Sequence, residues 1–320
     1  MLTTGNQTTG SLRVYIESVA VRQFKKSVYF YDLLEKKSLK TGDHVYTLNV
    51  PQRTSFTSTN ATIVEGVTPN EMAFKYDQVA VTCTQYGAYV KITDIADKDS
   101  VFDLYTEAGY ELGRQMAEVA DQVIQNELLT NGTYVAYGSG NGAITARANI
   151  TATSYVVSKD LADIFALLRA KAAPMLDGNA YAGVFHPFVV NDIRKDGTAN
   201  AAWFDAVKYT MPEKILNGEV GKMHGIRVLE SPAISTFLGG VGGTVKIYPS
   251  YIVGDKAYAV VESQPLETII KSNTAGGSEN PLNLVGSVGL KIRFGIKIVK
   301  QEALMRLEGA SSLSAQTLPY

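Results

Sequence analysis

The stretch from Asp99 to Gly132 constrains this chain more than any other, because it reads as one long helix. Apolar residues recur in steps of three and four at Val101, Tyr105, Ala108, Leu112, Met116, Val119 and Val123, the period of a helix that buries one stripe. Ser100 with Asp103 resembles a capping box in which Asp takes the place of Glu or Gln. Asn131-Gly132 offers a left-handed residue to close the C-terminus. At about 1.5 Å rise per residue such a rod is roughly 45 Å long, enough to span a domain. Glu107, Glu111, Arg114, Glu118, Asp121 and Gln125 fall on the other face, which is expected to meet water or a polar partner. Nothing on the rod has a catalytic pattern.

The rest of the chain must supply a core for this spine. With 320 residues it can form one large domain or two, and 45% apolar with 19% charged residues excludes global disorder. A net charge of -1 gives no general reason to bind nucleic acid, a membrane or an acidic substrate. Cys83 stands alone, so no internal disulfide can form, and a reducing compartment is expected. Residues 1–10 lack the charged and apolar regions of a secretory signal, and no run reaches the roughly 18 apolar residues of a membrane span. The sequons at Asn6, Asn60, Asn131 and Asn149 are therefore read as silent.

Residues 1–12 are expected to be loose. Residues 13–40 interleave seven basic residues with three acidic ones, among them Lys25, Lys26, Lys36 and Lys37 near Phe24, Tyr29, Phe30 and Tyr31. Two readings stay open here: an arm along a neighbouring subunit or nucleic acid, or an amphipathic helix on the chain's own core. From His44 to Thr93 the period changes to that of strands, around a Thr/Ser-rich tip at 54–62 and the turn Glu65-Gly66-Val67-Thr68-Pro69. A long two-stranded ribbon is marginal alone and its open edges invite another chain. Cover by a second subunit makes the better sense of it, with a fold-back onto its own domain as the alternative. Beyond the spine, a helix is predicted over 158–173, strands over 181–185, 225–230, 245–253, 256–262 and 288–299, and a short helix after His186. No repeat is found, and the class is α+β.

Chemistry is hard to find. His44, His186 and His224 do not stand at metal-ligand spacing, and His186 reads as a structural imidazole. Cys83 lies in a strand pattern, where an activated thiol is not expected. Gly218-Glu219-Val220-Gly221-Lys222-Met223 has the wrong glycine spacing for a phosphate loop and no Ser or Thr after the lysine. Asp94, Asp97 and Asp99 read as a solvated lead-in to the spine. Neither an enzyme, a metal nor a cofactor is expected.

The order of parts is distinctive: a short arm, a projecting β loop, a spine helix, a loop-rich α/β region and returning strands. It resembles the major capsid proteins of tailed phages with the Hong Kong 97-type fold. More narrowly it resembles those of large podophages that carry a virion-packaged RNA polymerase. The stretches that carry the likeness are Glu65 to Pro69, Gln85-Tyr86-Gly87 with Thr93-Asp94, 121–133 (DQVIQNELLTNGT), 185–196 (FHPFVVNDIRKD), 218–232 (GEVGKMHGIRVLESP), 286–289 and Arg306-Leu307-Glu308.

The resemblance implies a subunit of an icosahedral virion shell, assembled in the host cytoplasm from hexamers and pentamers around double-stranded DNA. It also implies a scaffolding protein, a portal and, in some relatives, a decoration protein as partners, with no membrane. Residues 1–40 would be an N-terminal arm, 41–92 the extended loop, 93–157 the peripheral domain with its spine over 100–131. Residues 158–270 would be mainly the axial domain, and 271–320 the return strands and tail. Thr54, Phe56, Thr59, Glu65 and Pro69 would then touch neighbouring subunits, and Lys25, Lys26, Lys36 and Lys37 would face the interior. The chain lacks a long N-terminal coiled coil and a recognisable crosslinking Lys/Asn pair, so a separate scaffold and a non-covalent shell are expected. A nanocompartment shell of the same fold and a soluble α+β enzyme are the alternatives.

Overall fold

A computed structural model describes residues 4–34, 36–38, 45–51, 65–66, 76–140, 142–176, 178–196, 219–272 and 282–314. Helix α1 (Thr4–Ser27) begins inside the stretch expected to be loose. Ile16, Ala20, Phe24 and then Val28, four residues apart, are all buried, and α1 packs along the spine of its own subunit. Lys25 and Lys26 occupy its last turn, where positive charge offsets the exposed carbonyls. Strand β1 (Lys36–Ser38) follows, then β2 (Val45–Pro51), β3 (Tyr76–Thr82) and β4 (Thr84–Thr93).

The spine expected over 100–131 is one helix, but it starts at Leu104. Thr93 caps a short helix α2 (Asp94–Asp99), and the chain breaks at Ser100 before α3 (Leu104–Asn131) starts. Asp103, not Ser100, is the cap: its carboxylate accepts the Tyr105 and Thr106 N–H groups. Val101, assigned to the buried stripe by its spacing, is therefore 94% exposed. At its other end α3 closes on Gly132 with φ at -72°, so no left-handed residue is used. A Cβ at Gly132 would lie 2.4 Å from the Leu128 carbonyl oxygen, which explains the glycine by space instead of by handedness.

Next come β5 (Val135–Tyr137), α4 (Ser158–Ala170), β6 (Tyr181–Phe185), α5 (Pro187–Lys195), β7 (Glu219–Met223), β8 (Ile226–Glu230) and β9 (Phe237–Gly239). Strands β10 (Val245–Val253), β11 (Tyr258–Lys271), β12 (Val285–Ile298) and β13 (Leu304–Gly309) complete the chain. They form a four-stranded sheet ordered β1-β11-β12-β4 and a seven-stranded sheet ordered β5-β13-β10-β6-β8-β7, with β9 beside β10. Strands β2 and β3 pair with each other as an antiparallel ribbon from Val45↔Thr82 to Pro51↔Tyr76. Strand β4 leaves that ribbon and joins β12.

Strand β12 behaves as its alternation predicts, burying Val288, Leu290, Ile292 and Phe294, and it packs against α3. Strand β10 is instead buried without alternation from Ile247 to Val253, because it lies mid-sheet with both faces covered. The two sheets share one core. Phe24, Tyr31 and Phe294 meet edge to face at 5.6 and 5.4 Å, Phe30 meets Tyr251 at 5.6 Å, and the Tyr258 hydroxyl donates to the Phe30 carbonyl at 2.6 Å.

Candidate subunit-contact surfaces

The residues proposed from sequence for inter-subunit contact fall largely outside the described residues: Thr54, Phe56, Thr59 and Pro69 all do. Glu65 is described and sits exposed in a turn. Of the four lysines, Lys25 and Lys26 are exposed on the last turn of α1. Lys36 and Lys37 lie on β1 at the edge of the four-stranded sheet, beside Val260 and Val261 of β11. Lys36 pairs with Asp32 and lies 4.0 Å above the Tyr31 ring centre, so part of its charge is already answered within the subunit.

Reactive side chains are held in structural roles. The His186 ring accepts the Phe188 N–H at 3.1 Å and so caps α5, while Phe188 and Tyr248 lie against it. Burial pushes its pKa down to about 4, so the ring is neutral and stays an acceptor. Ser158 Oγ lies 2.9 Å from His224 Nε2, but among the described residues no carboxylate orients that ring, so the pair ties α4 to the β7–β8 turn. Burial raises the Cys83 thiol and its Sγ contacts the Val261 carbonyl at 3.6 Å. Glu219 to Met223 form a strand paired with β8, which removes the phosphate-loop reading; Gly218 and His44 lie outside the described residues. No group of His, Cys, Asp and Glu among the described residues is placed to hold a metal ion, and no described helix is long and apolar enough to cross a membrane.

What the sequence missed are the polar residues that fix the spine. Asp121 and Gln125, placed on the solvent face by their period, are each 1% exposed. Asp121 accepts the N–H groups of Tyr29, Phe30 and Tyr31 at 2.8, 3.1 and 3.3 Å. Gln125 donates to the Ala233 carbonyl and accepts the Ser235 N–H. At the far end, Arg147 forks onto Glu308 at 2.5 and 2.7 Å, and Arg306 Nε lies 2.7 Å from the same carboxylate. Arg306 also donates to the Leu128 and Leu129 carbonyls, which end α3. Gly109 and Gly113, four apart on α3, let α1 approach closely: a Cβ at Gly113 would meet the Ala20 carbonyl oxygen at 2.6 Å. That spacing is a signal a sequence reading could have used.

The surface holds the unexplained apolar groups. Val101 and Phe102 (73% exposed) project between α2 and α3, and Phe102 shares a groove with exposed Tyr15 and Tyr110. Tyr89 and Ile269 lie opposite Gly289 on the outward face of the four-stranded sheet.

This architecture has known counterparts. The chain superposes on the capsid of Ralstonia phage GP4 with a TM-score of 0.70 at 14% identity, covering 91% of this chain and 93% of that one. The Cyanophage Pam1 capsid gives 0.63 at 16% identity, with 91% and 92% covered. A virus-like particle from Pyrococcus furiosus gives 0.52 at 12%, with 92% and 98% covered. The shared fold is thus the α+β fold of phage capsid proteins, as the Hong Kong 97-type expectation required. No curated protein sequence matches. The sequence model of a family described as phage capsid protein matches residues 76–306, from the start of β3 into β13. On that match, the chain belongs to the phage capsid protein family.

Proposed function

We propose that this chain is the major capsid protein of a tailed double-stranded DNA phage and builds its icosahedral head shell, a structural and not a catalytic task. The family match over residues 76–306 carries the reading. The physical layout supports it: the described His and Cys side chains are held in structural roles, while apolar side chains stand exposed on rigid elements. Such a subunit can use many modest contacts at once, so that avidity replaces single-site affinity. Closed rotational symmetry in hexamers and pentamers then supplies geometric specificity.

In this reading the β2–β3 ribbon and the chain between its strands (within 41–92) lie over an adjacent subunit through Thr54, Phe56, Thr59, Glu65 and Pro69. The spine region (93–157) is peripheral, 158–270 mainly axial, 1–40 the N-terminal arm, of which α1 lies on the spine, and 271–320 the return strands and tail. Lys25, Lys26, Lys36 and Lys37 face packaged DNA by non-specific contact. A scaffolding protein guides assembly in the host cytoplasm, a portal joins the shell, and a decoration protein is a further partner. The finer kinship is with podophages that package an RNA polymerase.

Electron microscopy of cells expressing the chain, with and without its scaffold, tests this. Uniform shells or hexameric and pentameric rings are the expected outcome; persistent monomers under every condition would overturn it. Protein cargo in DNA-free shells would favour the nanocompartment reading instead. Reversing the four lysine charges should lower DNA retention, and unchanged retention removes them from the interior surface.

A further inference from the structure

Between α2 and α3 the chain presents two large apolar side chains to water on a backbone that is not loose. Ser100 Oγ accepts the Phe102 N–H at 3.1 Å and donates to the Phe102 carbonyl at 2.9 Å, while Asp103 starts α3 directly behind. Val101 and Phe102 are thus held out at 94% and 73% exposure by their neighbours' hydrogen bonds, and Tyr15 of α1 and Tyr110 of α3 widen the apolar surface. An exposed patch of this kind on a rigid mount marks a contact site. Its surroundings are acidic: residues 94–118 carry seven carboxylates against Lys98 and Arg114.

The same chain carries a surface of the opposite character. On the outward face of the four-stranded sheet, Ile269, Gly289 and Tyr89 stand in one cross-strand row, and Lys271, Ser287 and Lys91 in the next. Lys291 stands in the row on the other side, opposite Glu267 and 3.0 Å from its carboxylate. Apolar Tyr89 and Ile269 are thus flanked by lysines, where Val101 and Phe102 are flanked by carboxylates.

We propose that the Val101–Phe102 knob seats on the Tyr89/Ile269 sheet face of a second copy of this chain, with the acidic flank of one meeting Lys91 and Lys271 of the other. Charge complementarity selects this occupant over an unrelated partner, since one chain holds both halves. The inference rests on the shell reading and names a contact within it.

The test compares assembled-particle yield for the wild type, Val101→Ser/Phe102→Ser, Lys91→Glu/Lys271→Glu, and the last combined with Asp99→Lys/Glu107→Lys. Each single set should lower the yield by about tenfold or more, as loss of a central anchor does, and the combined reversal should restore most of it. Circular dichroism melts confirm that each subunit is folded. Photo-reactive benzoylphenylalanine in place of Phe102 gives an independent readout. Adducts mapping to the sheet face of another copy support the contact; adducts only within one chain, or only on a different protein, overturn it. Wild-type particles with unchanged yield for Val101→Ser/Phe102→Ser sink this inference alone, whereas a wild type that never assembles sinks the shell reading itself.

Discussion

Asp121 Oδ2 accepts the Tyr29 N–H at 2.8 Å, and the other carboxylate oxygen takes the next two N–H groups. One side chain in mid-spine therefore holds the turn that carries Phe30 and Tyr31 into the core. Asp121→Asn keeps the shape but turns a donor toward the Tyr29 N–H, leaving two buried donors facing each other. The variant should lose about 1–3 kcal/mol, the cost of an unsatisfied buried group, read as a lower denaturant midpoint with unchanged slope. An unchanged midpoint would mean the turn is held by its aromatic packing alone.

The same residue has a pH signature. Burial, partly offset by the three N–H groups, raises Asp121 to about 7 from an ordinary 3.8. The folded state then binds the proton more tightly, so this contribution to stability is full below about pH 4 and is lost as pH rises through 7. His186 runs oppositely, being lowered to about 4 from 6.5. Its contribution is present above pH 6.5 and is lost as pH falls toward 4. Asn at position 186 can still cap α5 but cannot titrate. Subtracting the stability–pH curve of His186→Asn from that of the wild type should leave a loss on acidification, and subtracting that of Asp121→Asn should leave a loss on alkalinisation. A flat difference in either case removes that residue from the titration.

Gly113→Ala tests the helix crossing. Alanine gains about 1 kcal/mol in helix propensity over glycine, but its Cβ would meet backbone, the Ala20 carbonyl oxygen at 2.6 Å and the Ala20 Cα at 3.2 Å. Overpacking costs about 1–3 kcal/mol, so the net change should be destabilising. At Gly109 the obstacle is the Cγ2 methyl of Ile16, at 2.7 Å, a single side-chain group and not the backbone. Gly109→Ala should therefore cost less, and thermal melts that rank the two the other way would reject the crossing geometry.

Glu308 is fully buried between two arginines, of which Arg306 is 5% exposed. Glu308→Gln leaves the Arg306 charge buried without its counter-ion and should cost about 3–5 kcal/mol, enough to depress expression of folded subunit. Arg147→Ala removes a partly exposed member while Arg306 still answers Glu308, and about 1 kcal/mol is expected. Urea titration of the two variants separates these cases, and equal losses would contradict the role given to Arg306.

Local pattern made the strands and most helices readable, because each buries a face that repeats along the sequence. β12 is the plainest case, with Val288 to Phe294 alternating as they are buried. What misled was polarity on the spine. Asp121 and Gln125 have the period of a solvent face, yet the backbone groups they satisfy lie 92 and 108 residues away in sequence. No window on α3 contains that information. The later start of the spine was missed for a related reason: Val101 continues the apolar period, and only the cap at Asp103 sets the first turn of α3. The β2–β3 ribbon was readable through the alternation of Leu48, Val50, Val79 and Val81, but the exposed Val101–Phe102 pair was not. Val101, spaced with the buried stripe, reads as core until its surroundings are known.

The ribbon supplies the last prediction. Strands β2 and β3 satisfy each other's backbone over seven residue pairs, and β4 passes directly into the four-stranded sheet. Deleting Thr54 to Thr62 removes chain between the paired strands and none of the described strand residues. If that segment serves a neighbour, the shortened subunit should melt within a few degrees of the wild type, since surface changes away from core features stay within about 0.5 kcal/mol. It should nevertheless fail to form ordered shells by electron microscopy, because each missing contact is multiplied around every capsomer. An unfolded product would place the segment in its own subunit's core, against the inter-subunit reading. Normal shells would make it dispensable, and Thr54, Phe56 and Thr59 would then leave the contact surface altogether.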